Sequence, residues 1–81
     1  MKNIKLSRQA EKFLLQADDK TRDRIIEGIA GLKEQPQKGD IKKLQDRKDE
    51  LRLRIGKHRV IFINFPARVY IVRVALRSKA Y

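Results

Sequence analysis

The chain has 81 residues, 41% of them apolar, with no cysteine, one histidine and a formal net charge of +11. This length predicts a single domain, residues 1–81, with one small core, and the apolar content excludes a fully disordered chain. The missing cysteines exclude disulfides and thiolate sites, and the composition leaves no plausible ligand set for a metal. Since the start lacks a signal-peptide segment and no long apolar run follows, we expect a cytoplasmic protein that uses neither a membrane nor a cofactor.

The first forty residues predict one strand and two helices. Apolar and polar residues alternate over residues 4–6, as in a short β-strand. Ser7 is suited to cap a helix whose apolar stripe runs over residues 10–17. A second stripe runs over residues 25–32, and Pro36 stops that helix. The short connection between the two helices predicts an antiparallel hairpin.

The second half predicts a sheet. Residues 36–49 are polar and indicate a loop with a brief anchoring element at residues 41–44. Apolar residues then alternate in three strands, at residues 51–55, 58–65 and 69 to about 76, separated by the turns Gly56-Lys57 and residues 66–68. The expected fold class is α+β, with an N-terminal strand and an antiparallel helix hairpin packed on a C-terminal antiparallel β-meander.

Positive charge concentrates in this second half. Residues 1–40 carry 9 basic and 7 acidic side chains, whereas residues 41–81 carry 12 basic and 3 acidic ones. Positive charges concentrated in one half of a domain repel one another, so we expect a polyanionic partner to neutralise them. The alternative is a basic protein with no nucleic-acid role.

The two turns predict which face of the sheet the arginines occupy. A two-residue loop at Gly56-Lys57 pairs strands so that alternate residues share a face. A three-residue loop at residues 66–68 pairs Phe65 with Val69 and Phe62 with Val72. This register places Val72, Val74, Leu76 and Tyr70 on the helix side. It places five arginines together on the other side: Arg52, Arg54, Arg59, Arg73 and Arg77.

A face with this many arginines predicts an anion-binding surface. The guanidinium group holds phosphate in a planar fork, and the strands offer almost no acid to offset the charge. The alternative is a solvated sheet face, since antiparallel sheets often leave one side wet.

Three segments of the chain, GDIKKL at residues 39–44, LRLRIGKHRVIF at 51–62 and LRSKAY at 76–81, resemble the RelE/ParE superfamily of toxins. The resemblance spans nearly the whole chain and implies a RelE-like fold. It also implies a type II toxin that cuts mRNA in the ribosomal A site, by metal-independent attack of the 2′-hydroxyl. The implied partner is an acidic, RelB-like antitoxin.

The same resemblance implies roles for individual residues. The implied catalytic residues are Arg52, Arg59, Arg77 and Tyr81, with Arg54 as an alternative to Arg52. The basic residues expected to bind RNA are Lys42, Lys43, Arg54, Lys57, Arg73 and Lys79. Leu76 stands where many relatives have a histidine, which predicts weaker cleavage. His58, the one histidine, is expected to close the core beside its turn rather than to catalyse.

Other functions remain open at this point. A ParE-like protein that inhibits DNA gyrase shares the fold and the arginine strands, but that branch generally lacks the tail formed here by Arg77 and Tyr81. A RelE homologue with weakened catalysis and a plain RNA-binding module are further alternatives. The few aromatic residues, with Tyr70 expected in the core, argue against a general single-strand binder.

Overall fold

The computed structural model describes residues 2–45 and 48–76, in which two helices pack against a five-stranded mixed sheet. The strands are β1 (Asn3–Leu6), β2 (Asp40–Lys43), β3 (Leu51–Ile55), β4 (His58–Phe65) and β5 (Arg68–Leu76). The helices are α1 (Arg8–Gln16) and α2 (Asp19–Ala30), the second followed by a 3-10 turn at Gly31–Lys33. The strand order is β1-β5-β4-β3-β2, with β1 parallel to β5 and the other pairs antiparallel. The predicted α+β fold is confirmed, and the short strands β1 and β2 add the two edges to the meander.

The helix hairpin is held at its tip by one arginine. Arg22, in the second turn of α2, reaches back to the end of α1. Its Nε donates to the Leu14 carbonyl at 2.7 Å, and its Nη2 donates to the Ala17 carbonyl at 2.6 Å. The last carbonyls of a helix have no partner within that helix, and they carry partial negative charge. The Arg22 guanidinium supplies both the hydrogen-bond donors and the positive charge that these carbonyls lack, and it thereby links α2 to the end of α1.

The core lies between the hairpin and one sheet face. Its helical members follow the predicted stripes, and its strand members come from β3, β4 and β5. They are Ala10, Leu14, Ile25, Ile29, Leu32, Leu53, Val60, Phe62, Val69, Ile71 and Val74. The other sheet face, called the open face below, carries neither of the two described helices.

A β-bulge in β5 corrects the predicted register. The β4–β5 turn has two residues, so Phe65 pairs with Arg68, and the expected three-residue turn with a Phe65–Val69 pair is wrong. Phe62 pairs with Ile71 instead of Val72, yet Ile61 still pairs with Arg73 as expected. One extra residue in β5 compensates for the shorter turn and flips the alternation of side chains at that point.

The start of α1 covers the part of the β5 edge that β1 does not pair with. Strand β1 pairs with β5 only as far as Ile71, so the following backbone groups need other partners. The Ser7 hydroxyl donates to the Val72 carbonyl at 2.7 Å. The Gln9 amide both donates to the Val74 carbonyl at 2.8 Å and accepts from the Val74 N–H at 2.9 Å. The side chains of Ser7, which caps α1, and of Gln9 within α1 therefore continue the hydrogen bonding of the sheet where β1 stops.

We expect Gln9→Ala to lower the free energy of unfolding by about 1–2 kcal/mol, because two partly buried backbone groups of Val74 lose their partner. Urea unfolding followed by circular dichroism measures the change. Gln16→Ala, at an exposed site of the same helix, is the matched control and should be nearly neutral. Equal stability of the two variants would contradict this account of the β5 edge.

Candidate functional site

Basic side chains form two rows across the open face. Directly paired residues point to the same side of a sheet, so the pairing defines each row. One row contains Lys42, Arg52, Ile61 and Arg73, and the next contains Asp40, Arg54, Arg59 and Ala75. The prediction that Arg52, Arg54, Arg59 and Arg73 share one face is therefore confirmed. We call these four residues the arginine cluster.

The cluster brings like charges close together. Arg54 and Arg59 lie directly opposite each other on neighbouring strands, which places their Cβ atoms about 5 Å apart. Arg52 and Arg73 flank Ile61 in the adjacent row, at two strand spacings or about 10 Å. Opposed like charges destabilise a sheet, so this arrangement favours an anion that bridges them.

Arg52 differs from the other three arginines in its burial. It is only 7% exposed, and its Nη2 lies 3.1 Å from the Asp40 carboxylate. Its Nε is buried and has no hydrogen-bond partner among the residues that the structure describes. Of the other three members of the cluster, Arg54 and Arg73 are exposed and Arg59 is half-buried.

The remaining predicted site residues are distributed more widely. Lys42 is exposed and joins the cluster on the open face. Lys43 pairs with Leu51 and so belongs to the opposite side of β2, apart from the cluster. Lys57 is exposed in the β3–β4 turn. Three predicted residues, Arg77, Lys79 and Tyr81, lie outside the described residues.

The open face also carries aromatic and apolar side chains that the sequence analysis missed. Tyr70 pairs with Ile63, and Phe65 pairs with Arg68, in two further rows beyond the cluster. We call Ile63, Phe65 and Tyr70 the aromatic patch. The expectation that Tyr70 faces the core is wrong, because Tyr70 lies between the fully buried Val69 and Ile71 and points to the other side.

A signal for this arrangement is present in the sequence of β5. Its apolar residues occupy positions 69 and 71 and then positions 72 and 74. The spacing of two is interrupted once, which is the pattern expected of a strand with a bulge. Val72 is half-buried at the interruption, and Val74 returns to the core.

His58 lies on the helix side of the sheet, away from the cluster. Its ring meets the Phe13 ring edge-on, with centroids 5.7 Å apart. Burial lowers the pKa of His58, and the positive charges of Arg24 and Lys57 act in the same direction against the opposing effect of Asp18. His58 pairs with Leu76, which shares the helix side as expected but is 44% exposed rather than buried. These contacts support a packing role for His58.

The lowered pKa of His58 predicts acid sensitivity. Because the pKa of His58 is lower in the folded than in the unfolded protein, the unfolded state binds the proton more readily, and stability should fall as pH drops below about 6.5. Thermal unfolding from about pH 7.5 to about pH 5.5 should show this decline. His58→Gln should flatten the decline, while a parallel decline in both proteins would assign it to another group.

No group of His, Asp and Glu side chains within residues 2–45 and 48–76 is arranged to hold a metal ion. No helix in these same ranges is long and apolar enough to cross a membrane.

The fold is similar to that of known toxins. It matches the archaeal RelE–RelB complex from Pyrococcus horikoshii OT3 with a TM-score of 0.78 and 26% identity, over 98% of each chain. It also matches the RelB–RelE antitoxin–toxin complex from Methanococcus jannaschii, with a TM-score of 0.71 and 23% identity over 91% of each chain. The second likeness is one of fold alone. No functionally curated protein matches the chain.

A family model adds sequence evidence over the whole domain. The model described as the ParE toxin of the type II toxin–antitoxin system parDE matches residues 4–81. This range includes both helices, all but the first residue of the sheet and the complete arginine cluster. The chain therefore belongs to the ParE toxin family, within the RelE/ParE superfamily, and is a toxin of a type II toxin–antitoxin system.

Proposed function

We propose that this toxin is a ribosome-dependent endoribonuclease that cuts translated mRNA without a metal. The direct opposition of Arg54 and Arg59, with Arg73 in the adjacent row, is the observation that carries the proposal. Three guanidinium groups within this small area suit the phosphates of a single RNA strand. The similarity to a RelE chain at 26% identity over nearly the full length supports placing this toxin in the RelE-like branch of the superfamily.

The reaction proposed at this face is transesterification. The 2′-oxygen forms a bond to the adjacent phosphorus, and the bond from phosphorus to the 5′-oxygen breaks. The products are a 2′,3′-cyclic phosphate and a 5′-hydroxyl end. Negative charge develops on the phosphate oxygens in the transition state, and preorganised guanidinium donors stabilise that charge.

Two protons must also move in this reaction. One leaves the 2′-hydroxyl, and another reaches the departing 5′-oxygen. Arginine stays protonated and is a poor general base, so the cluster supplies charge stabilisation and little proton transfer. We propose that Tyr81 and Arg77 assist at the reacting centre, as the resemblance implies, and that the ribosome aligns the mRNA for in-line attack.

We further propose an acidic antitoxin of the RelB type as the partner. The two solved structures described above are complexes of RelE with RelB, and the net charge of +11 favours an acidic segment that orders on binding. Co-expression with the product of the neighbouring gene should give a complex that purifies intact at moderate salt. A toxin that purifies alone beside an acidic neighbour would contradict the pairing.

Induced expression followed by mapping of mRNA 5′ ends tests the activity. The proposed chemistry predicts new ends inside translated codons, and these ends should require phosphorylation before they can be ligated. An untranslated copy of the same message, with its start codon removed, is the control and should stay intact. Cuts that appear equally in both messages would contradict dependence on the ribosome.

Inhibition of DNA gyrase is the second candidate, because the matching family model is that of ParE toxins. The same induction experiment separates the two functions. Intact mRNA together with a DNA-damage response would support gyrase inhibition, and in that case purified toxin should block DNA supercoiling by gyrase.

A further inference from the structure

We infer that the aromatic patch is a nucleobase-binding site that holds single-stranded RNA next to the phosphates bound by the arginine cluster. The inference rests on the proposed action on RNA and adds a second contact region to it. The patch residues Ile63, Phe65 and Tyr70 occupy the two rows that follow the cluster along β4 and β5.

The bulge in β5 is what joins the patch to the cluster. Tyr70 and Arg73 are three residues apart, so in a regular strand they would point to opposite faces. The register shift between Ile61 and Phe62 puts both on the open face, opposite Ile63 and Ile61 respectively. Bulges often re-aim side chains beside functional sites, and this one aligns an aromatic ring with the arginines.

The surroundings of the patch are cationic. Tyr70 pairs with Lys5 of β1, Phe65 pairs with Arg68, and both of these basic residues are exposed. No acidic residue occurs among the described residues of these two rows. Aromatic rings flanked by Lys and Arg form the usual surface for single-stranded nucleic acid, in which rings stack on bases and cations hold phosphates.

The patch is accessible and suitably spaced. Phe65 is 47% exposed, and Tyr70 and Ile63 are half-buried, so ring surface remains for a ligand. Successive rows lie two residues apart along a strand, or about 6.6 Å. This step is close to the length of one extended nucleotide, so a strand anchored at Arg59 would bring its second and third following bases over Tyr70 and Phe65.

Charge also selects among possible occupants. A second copy of this chain would bring another +11 to the same surface and would be repelled. An acidic protein segment would satisfy the cations, but it would gain less than a nucleobase from the planar rings. Single-stranded RNA uses both features of the surface.

Binding of a short oligoribonucleotide that carries one 2-aminopurine tests the inference without a ribosome. We expect the fluorescence of the 2-aminopurine base to be quenched when the base stacks on the aromatic patch in the complex. Phe65→Leu and Tyr70→Leu remove the planar rings, and each should weaken binding by about 5-fold or more. Both should leave the salt dependence unchanged, whereas Arg54→Gln should reduce the slope of log affinity against log salt by about 0.7.

Two controls keep the test decisive. Tyr70→Phe retains the ring and should bind like the wild type, even where Tyr70→Leu is less stable. Leu15→Ala removes an apolar side chain that is 78% exposed on the hairpin and should have no effect. Wild-type affinity in both leucine variants, or loss of antitoxin binding with RNA binding intact, would overturn the inference.

The outcome is independent of the cleavage test. Quenching and weakened binding in a toxin that cuts no mRNA would support the base site while the proposed activity fails. Normal cleavage and normal binding in the leucine variants would preserve the activity and remove the base site.

Discussion

Replacing Arg59 with alanine should slow mRNA cleavage by about 10²- to 10³-fold, the usual effect of removing one preorganised donor from a transition-state anion. Arg59 stands between the paired Arg54 and Ala75 in the middle of the sheet, where its backbone is fixed on both sides. Its loss therefore removes charge stabilisation without loosening the strand. Single-turnover cleavage on ribosomes programmed with a defined message measures the effect.

Arg8→Ala is the matched control for this prediction. It removes one positive charge from an exposed position on α1, so it preserves the change in net charge while leaving the open face intact. We expect its rate to stay within about two-fold of the wild type, since surface substitutions away from a site have small effects. Similar rates for Arg8→Ala and Arg59→Ala would show that only bulk charge matters and would exclude a specific role for Arg59.

Arg22→Ala should lower the free energy of unfolding by about 2 kcal/mol, which corresponds to a fall in Tm of about 10 °C for a domain of this size. The substitution removes charge-assisted hydrogen bonds to the Leu14 and Ala17 carbonyls and an ion pair with Asp19 at 2.9 Å. The carbonyls at the end of α1 then lose a cationic donor. The Arg22 side chain is 32% exposed, so water replaces part of the loss and limits its size.

Lys20→Ala is the control for Arg22, because Lys20 is an exposed cation at the start of the same helix. It should change Tm by a degree or so at most. Equal destabilisation by both substitutions would mean that general charge on α2, rather than the bonds to α1, holds the hairpin closed.

Local patterns were sufficient to predict most elements of the fold. The apolar stripes of both helices reach the core as expected except at Ile26, which is 48% exposed. The Gly56-Lys57 turn sets the β3–β4 register without correction. Gly56 has a positive φ of 56°, which glycine tolerates and most residues do not. Pairing between Arg54 and Arg59 could therefore be derived from the turn alone.

Features that depend on distant parts of the chain were not predictable in this way. The burial of Arg52 depends on Asp40 from an edge strand that the sequence indicated only as a brief anchoring element. The face of Tyr70 depends on the bulge in β5. The predicted turn was one residue too long, and the extra residue of the bulge compensates for this error at Arg73, which lies beyond the bulge. Tyr70 lies between the turn and the bulge, so its predicted face was wrong. The parallel pairing of β1 with β5 leaves no mark in the local sequence.

The pairing of β1 with β5 has a consequence for folding during synthesis. Ser7 and Gln9 bond to backbone groups of β5 that lie 65 residues later in the chain. Contacts of such high sequence separation form late in folding. Synthesis proceeds at roughly 5–20 residues per second, so the N-terminal strand waits several seconds for its partner to leave the exit tunnel. The edge of the sheet formed by β1 and the start of α1 therefore closes only after β5 has been synthesised, several seconds after β1.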